Sequence, residues 1–508
     1  MGDFARKLIR AVPALPYIGL GLWFAWAALA FGSTAWLSES EPNGMNIGIM
    51  FMLSSLGCSL GLIAGAVRPQ FAQPFLTRRW LLLLAGAASS LSCVVIVLAG
   101  PFYLQALFPP AAIWPLGRAC AFLSGLGFAP LLLKSGALYS SLVPRRAILY
   151  SSLSTLIAVS IYYIVVGSPS WQPVAGGPSL AGSIGFCVLP LATAACAALG
   201  ELTECDQDKT AWPPFSFAKL CLVIFVFSLV AAAIRALVVV PSPLAVTIAG
   251  MKPVMLARIV MALAFALMAV ELDAGRLNFG KLYSLIMVVV VVLVACCPLA
   301  EGAASILSWV ITFMANFLEF ILWCILAFVV YQKKLSPTAV FGWGFGLFTL
   351  GSSIGWVFGV FGLPSLETVI DPTILYLALA SMVLIGSVVV FSERDFGSLF
   401  ESHDVAQPTL DEILDYDIMR GAANSEEGER RFGRALESIG TAALLTRRES
   451  DVLRCLAMGY DGGMIAKELG ISWHTVRTHT TNVYAKLGVH SKREVIELVD
   501  ARVRSLGE

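Results

Sequence analysis

The chain has 508 residues, 58% of them hydrophobic and only 13% charged, with a formal net charge of +1. Soluble domains carry about a quarter charged residues, so this composition excludes an ordinary water-soluble protein, and the near-zero balance averages two very different regions and decides nothing about partners. The 11 cysteines lie mostly in apolar runs (Cys93, Cys187, Cys296, Cys297, Cys324) without CxxC or Cys/His spacing, so they read as small buried hydrophobes and not as a disulfide or metal framework.

At the N-terminus Arg6, Lys7 and Arg10 precede an apolar stretch containing Ala28-Leu29-Ala30, which has the outline of a signal peptide. The run continues to about Leu37 and further spans follow, so a first transmembrane helix is expected instead. Hydrophobic stretches occupy 17–37, 45–67, 80–100, 112–140, 147–167 and 179–201. After a polar interruption from Glu204 to Pro214 they resume at 217–240, 253–272, 281–299, 305–331, 339–362 and 372–392. Each has roughly the 18 residues needed to cross ~30 Å of hydrocarbon. The prediction is an all-α, polytopic membrane bundle over 1–392, with about twelve spans in two sets of six.

The connections test that count. Arg6, Lys7 and Arg10, then Arg68, Arg78 and Arg79, Arg145 and Arg146, Lys209, Arg276, and Lys333 and Lys334 all fall in alternate loops. The intervening loops 38–44, 101–111, 168–178 and 363–371 contain no Lys or Arg, and Lys252 alone breaks the pattern. Positive charge is retained on the cytoplasmic side. Both termini are therefore expected in the cytoplasm of a multi-pass inner-membrane protein.

Residues 393–444 turn polar and partly acidic (Asp411, Glu412, Asp415, Asp417, Glu426, Glu427, Glu429) and read as a cytoplasmic linker. If flexible, some fifty residues span roughly 40 Å root-mean-square, with short helices expected near Leu410–Met419 and Glu429–Ser438.

Residues 445–508 read as four helices. Thr446 and Glu449 make a capping box, with Val452, Leu453 and Leu456 facing inward and Gly459 as the stop. Asp461 caps a short second helix carrying Ile465, Ala466 and Leu469, ended by Gly470. Ser472 caps a third, 473–487, closed by Gly488. Ser491 and Glu494 form a second capping box before Val495, Ile496 and Val499. Two helices joined by the short Gly470–Ile471 turn are a helix-turn-helix, whose second helix enters the major groove of DNA. Val476, Val483 and Leu487 face inward there, so Arg477, Thr478 and Thr481 point outward. Arg pairs bidentately with guanine, and Thr touches the thymine methyl. Lys467, Thr475, Lys486, Lys492 and Arg493 sit where phosphates would pass, and the Ser472-capped helix start also favours phosphate. Ten Lys/Arg against eight Asp/Glu leave this segment only +2, so the pattern on the third helix carries the DNA reading, not bulk charge.

Leu445-Thr446, Arg448-Glu449, Val452-Leu453, Gly459, Ile465-Ala466, Leu469, Ile471-Ser472, Thr475-Val476-Arg477, His479 and Lys486-Leu487-Gly488-Val489 together resemble the DNA-binding domain of LuxR-type regulators. The resemblance implies that the third helix is the recognition helix and that the fourth supports a homodimer on two half-sites of double-stranded DNA. Arg447 stands where the family usually has Pro, and Thr481 where it usually has a basic residue.

The membrane part, with twelve spans split by a cytoplasmic loop, resembles the major facilitator superfamily. That family carries a Gly/Asp/Arg motif between spans two and three; here Gly65, Arg68, Arg78 and Arg79 remain but the acid is missing, which weighs against efficient transport. An Arg followed by glycines in span four is echoed by Arg118, Gly125 and Gly127 at altered spacing. Ionisable groups in lipid are costly and usually functional, and ligands of such folds sit near the midplane between the halves. Arg118, Arg235, Asn316 and Glu319 are thus expected to line a ligand cavity, the arginines favouring an anionic or carboxylate ligand. Lys134 and Arg258 read as structural or snorkelling cations.

No catalytic constellation is present. His403, His474, His479 and His490 all lie outside the spans, and neither a phosphate-binding loop nor a metal or cofactor motif occurs. The expectation is a membrane-bound one-component transcriptional regulator that binds promoter DNA and an unidentified small molecule. Two alternatives stay open: a transporter of the major facilitator type with a regulatory DNA-binding tail, and a tail used for protein contacts.

Overall fold

A computed structural model describes residues 12, 14–33, 35–36, 43–98, 110–167, 179–200, 202, 213–239, 248–271, 288–289, 291–292, 294–296, 304–333, 335–386, 426–458, 460, 462–470, 473–489 and 492–505. Among the described residues there is no strand, and the chain divides into a unit at 1–405 and a second at 406–508.

The first unit is the membrane domain. Its helices are α1 (Leu15–Gly32), α2 (Asn43–Val67), α3 (Pro69–Thr77), α4 (Arg79–Leu98), α5 (Pro110–Ser140), α6 (Pro144–Gly167) and α7 (Leu180–Leu199), then α8 (Phe215–Val239), α9 (Ile248–Glu271), α10 (Ala304–Lys333), α11 (Pro337–Val357), α12 (Leu363–Glu367) and α13 (Pro372–Ile385). Among the described residues 10 helices are long and apolar enough to cross a membrane, and a shorter apolar helix covers Thr373–Ile385. The span expected near 281–299 and the end of the one at 372–392 lie largely outside the described residues.

Spans form because hydrocarbon offers no partner to a peptide group. Side-chain hydroxyls follow the same rule. Thr155 donates to the Ser151 carbonyl (3.0 Å), and Thr193 to that of Leu189 (2.8 Å). Apolar side chains on the outer faces stay exposed, as Leu84 and Leu91 of α4, Ile184 and Val188 of α7, and Val260 and Leu267 of α9 show; in lipid that exposure carries no penalty.

Two seams join the two sets of helices, α2 against α11 and α6 against α9. Across the first, Ser353 Oγ donates to the Met52 carbonyl (2.9 Å). Within each set the backbones approach closely where a side chain is missing, the usual means of packing helices when water supplies no drive. A Cβ at Gly125 of α5 would run into the Ser54 carbonyl of α2, and one at Gly355 of α11 into the Leu229 carbonyl of α8. Beyond Val357 a π-helical turn covers Phe358–Gly362.

The second unit has α14 (Glu426–Ala442), α15 (Arg447–Ala457), α16 (Gly462–Leu469), α17 (Trp473–Leu487) and α18 (Lys492–Ser505). Its own core gathers Ile439, Val452, Leu453, Leu456, Ile465, Val476, Val483, Val495 and Val499. The helix within the expected linker is longer than the 429–438 anticipated, and it belongs to this unit. Phe432, Leu436 and Ile439 pack on the core, and Arg502 of α18 donates through Nε and Nη2 to Ser438 Oγ at 3.0 and 2.7 Å. The short helix expected near Leu410–Met419 lies outside the described residues.

Filling a seam tests the packing. Gly125→Val forces α2 and α5 apart and costs about 1–3 kcal/mol, the usual penalty of overpacking, read as a lower unfolding temperature of the detergent-purified protein. Gly433→Ala in α14 meets nothing within 4 Å, and instead stabilises its helix by about 0.5–1 kcal/mol.

Candidate functional site

The C-terminal unit is built around one reciprocal cap. Glu449 Oε2 accepts from the Thr446 backbone N–H (2.8 Å), and Thr446 Oγ1 accepts from that of Glu449 (3.4 Å). This is the expected capping box of α15. Glu449 is only 4% exposed, and a carboxylate taken out of water needs a counter-charge. Lys486, near the end of α17, supplies it. Its Nζ donates to Glu449 Oε2 at 2.6 Å and to the Leu444 carbonyl at 3.2 Å. The phosphate contact expected of Lys486 therefore competes with an internal task that holds the ammonium against α15.

Leu444 lies in the left-handed region (φ 49°), a conformation that costs a non-glycine residue about 1–2 kcal/mol. It ends α14: the Leu445 N–H returns to the Gly440 carbonyl and the Leu444 N–H to that of Thr441, as at a left-handed helix terminus. Lys486 thus joins the α14–α15 junction to the second helix of the helix-turn-helix.

Along α17 the buried Val476 and Val483 set the phase. Thr475, Arg477, Thr478 and Thr481 are exposed on the remaining face. The Thr481 hydroxyl donates to the Arg477 carbonyl (2.9 Å), which turns its methyl away from the helix axis. Gly470 (φ 62°) and Gly488 (φ 68°) end α16 and α17 in the left-handed region that glycine adopts freely. Ser472 lies outside the described residues. Lys467, Lys492 and Arg493 belong to helices, but their side chains are not among those described.

In the membrane domain the expected candidates separate. Arg118 is exposed on α5. Arg235 of α8 donates Nη2 to the Phe31 carbonyl of α1 (2.9 Å), and its guanidinium lies 5.8 Å from the centroid of Phe51 of α2. Phe51 in turn meets Phe31 at 5.0 Å and Trp356 at 5.1 Å. Glu319 of α10 interacts electrostatically with Arg258 of α9 and with Arg235. Asn316, one turn earlier, donates Nδ2 to the Thr312 carbonyl (2.6 Å). Arg258, read from sequence as a structural or snorkelling cation, is 5% exposed and shares Glu319 with Arg235. Lys134 is also buried and donates to the Leu76 carbonyl (2.9 Å).

Comparison with known proteins identifies the two parts separately. Residues 443–499 match the family described as bacterial regulatory proteins, luxR family. The C-terminal unit carries a LuxR-type helix-turn-helix domain. The HTH-type transcriptional regulator MalT of Yersinia pestis (strain Pestoides F) is 36% identical over 63 residues, 12% of this chain and 7% of that protein. MalT of Serratia proteamaculans (strain 568) matches to the same extent. The chain therefore spans about 7% of the length of the curated relatives it matches. The membrane domain is similar in fold to solved transporter structures. A bacterial homologue of the iron transporter ferroportin, in its outward-facing state, aligns with TM-score 0.50 and 15% identity over 78% of this chain and 99% of that one. The human organic anion transporter MFSD10 gives TM-score 0.48 and 14% identity over 76% and 99%, and the proton:xylose symporter XylE 0.44 and 13% over 78% and 99%.

The Lys486–Glu449 contact has a definite pH dependence. Hydrogen bonds from Lys486 and from the Thr446 backbone hold the Glu449 carboxyl down at about 2, below its ordinary 4.5. Its stabilisation is complete above pH 4.5 and is lost as the pH falls towards 2, because only the unfolded form binds the proton in that interval. Glu449→Gln should lower the unfolding temperature of the C-terminal unit at pH 7, with the difference from wild type closing between pH 4.5 and 2 in calorimetry.

Proposed function

We propose that this chain is a membrane-bound one-component transcriptional regulator. Its helical bundle senses a small molecule and its C-terminal domain binds promoter DNA, as a homodimer on two half-sites. The observation that carries the reading is the exposed row Arg477, Thr478 and Thr481 on α17, opposite the buried Val476 and Val483, in a domain of LuxR type. Arg477 would read guanine, and the threonines thymine methyls. Lys467, Ser472, Thr475, Lys492 and Arg493 would meet phosphates, with Lys486 reaching them only at the cost of its hold on Glu449. DNA lies in the cytoplasm, so this reading requires a cytoplasmic C-terminus, as the loop charges also do, in an inner membrane.

A transporter with a regulatory tail is the second reading. It is favoured by the likeness of the bundle to a ferroportin homologue and weakened by the missing acid between spans two and three. Ligand uptake into proteoliposomes separates the two: robust flux supports the transporter, and binding without flux the sensor.

Gel shifts with genomic fragments test the main reading directly. The full chain should retain a subset of fragments, and Arg477→Ala should relax base preference at one position by about 1–3 kcal/mol. Transcript profiles with and without the protein should change at the promoters so retained. An Arg477→Ala variant with unaltered promoter choice would show that α17 is not the reading helix.

A further inference from the structure

The buried guanidinium of Arg258, the half-buried one of Arg235 and the half-buried carboxylate of Glu319 meet in the membrane bundle without closing on one another. Arg258 is 5% exposed and its Nε has no hydrogen-bond partner among the described residues. The Nε of Arg235 is likewise buried and unpartnered, although its Nη2 is anchored on Phe31. Glu319 interacts electrostatically with both, yet among the described residues no ion-pair contact joins it to either arginine. A structural ion pair in this environment would be expected to close, because a buried charge left unpaired is strongly destabilising. Here one acid faces two bases. The site keeps a surplus positive charge, and each arginine leaves an N–H without an acceptor.

We propose that Arg235 and Arg258, with Glu319 and Asn316 beside them, form a binding site for a small monoanionic hydroxy-carboxylate. This rests on the reading of the bundle as a ligand-sensing domain, and it gives that domain a ligand class. The carboxylate of the ligand takes the two guanidinium groups, whose geometry suits paired oxygens. Glu319 is an acceptor when ionised, and Asn316 presents Oδ1 as a second acceptor, with one N–H of its amide nitrogen on the Thr312 carbonyl. The other end of the ligand must therefore donate. Charge selects the donor: two arginines, one glutamate and one monoanion sum to zero, whereas a zwitterionic amino acid leaves the surplus in place. A hydroxyl fits and an ammonium does not.

The site also touches both sets of helices. Arg235, Arg258 and Glu319 come from α8, α9 and α10, and Arg235 is anchored on Phe31 near the end of α1 and stacks on Phe51 of α2. An occupant that draws on Arg235 bears directly on how the two sets meet. Phe31 sits beside the connection 33–42, so the anchor of Arg235 lies toward that end of the bundle, the non-cytoplasmic end in the orientation proposed above, whereas Arg258 and Glu319 lie mid-helix.

The test is thermal unfolding of the full-length protein in detergent at fixed ionic strength, titrated with lactate, with lactamide as its neutral isostere and with alanine as the zwitterion. Lactate should raise the unfolding temperature saturably, and lactamide and alanine should not. Arg235→Gln and Arg258→Gln should each weaken the lactate response at least 10-fold. Glu319→Gln removes the charged acceptor of the ligand hydroxyl and should abolish the advantage of lactate over propionate, which lacks that hydroxyl, a loss that a purely structural carboxylate would not give. Equal responses to lactate and lactamide would overturn the site, as would an unchanged lactate response in the folded arginine variants or a Glu319→Gln variant that still prefers lactate to propionate. An alanine response matching that of lactate would overturn the monoanion assignment. A promoter reporter assayed in parallel keeps the two readings distinct. Regulation that persists without lactate binding defeats this site alone, and binding with no regulated promoter defeats the sensing role alone.

Discussion

Hydrocarbon gives a peptide group nothing to bond to, and a helix whose N–H and C=O groups are satisfied internally is the only cheap way across it. Most of the membrane domain follows from that constraint. Helices that are apolar all round gain little from hiding from one another, since lipid is as apolar as their neighbours. Packing must then come from close fit, and the glycines that let α2 meet α5 and α8 meet α11 provide it. The same constraint makes each polar side chain in the bundle informative. Hydroxyls that turn back on their own helix, such as Thr155 and Thr193, are neutral passengers. Arg235 and Arg258 are not, because no local carbonyl takes up their Nε groups.

The C-terminal unit obeys the opposite rule. Water drives its core together, and the buried valines and leucines of α15, α17 and α18 fix which face of α17 remains for a partner. Several of its polar contacts are placed where helices begin or end. Lys486 joins three such places at once: the cap of α15, the left-handed end of α14 at Leu444, and the last turn of α17. Displacing α14 would therefore disturb a contact made by the helix proposed to read DNA. This is a mechanical link inside one unit, and it needs no contact with the bundle.

Much of this was legible in the residues. Span positions were, because hydropathy over about 20 residues is what lipid selects. The inward residues Val452, Leu453, Leu456, Val476, Val483, Val495 and Val499 were as well, because helical spacing in a polar segment has one apolar side. The docking of α14 was harder to read: Phe432, Leu436 and Ile439 have core spacing, but they sit among Glu426, Glu427, Glu429, Arg430 and Arg431, which read as solvated. No local rule pairs Lys486 with a residue 37 positions away. The partner of Arg258 was not legible for a physical reason. A span that is apolar on every side has no polar face to say which way an arginine points, so the sharing of Glu319 between Arg258 and Arg235 became visible only in three dimensions. Arg118, chosen from an echo of a spacing, is exposed on α5 instead.

The proposed signalling must satisfy an energetic bound. A ligand shifts an equilibrium only by its difference in affinity for the two states, and moving a bundle from about 1:99 to 99:1 takes roughly 5.5 kcal/mol. Each hydrogen bond to a charged group contributes about 1.5–3 kcal/mol. Two such bonds supply about 3–6 kcal/mol, so two guanidinium groups converging on one carboxylate reach that bound at the upper end of the range, provided that they converge in one state and not in the other. Arg235 is the residue that allows the difference, because its Nη2 is held by a helix of the opposite set. Sliding α1 against α8 moves the Phe31 carbonyl and takes the guanidinium with it, whereas Arg258 and Glu319 move with their own set. One arginine anchored across the seam and one fixed within its set make a site whose affinity depends on how the two sets are arranged. A ligand-responsive bundle requires that dependence.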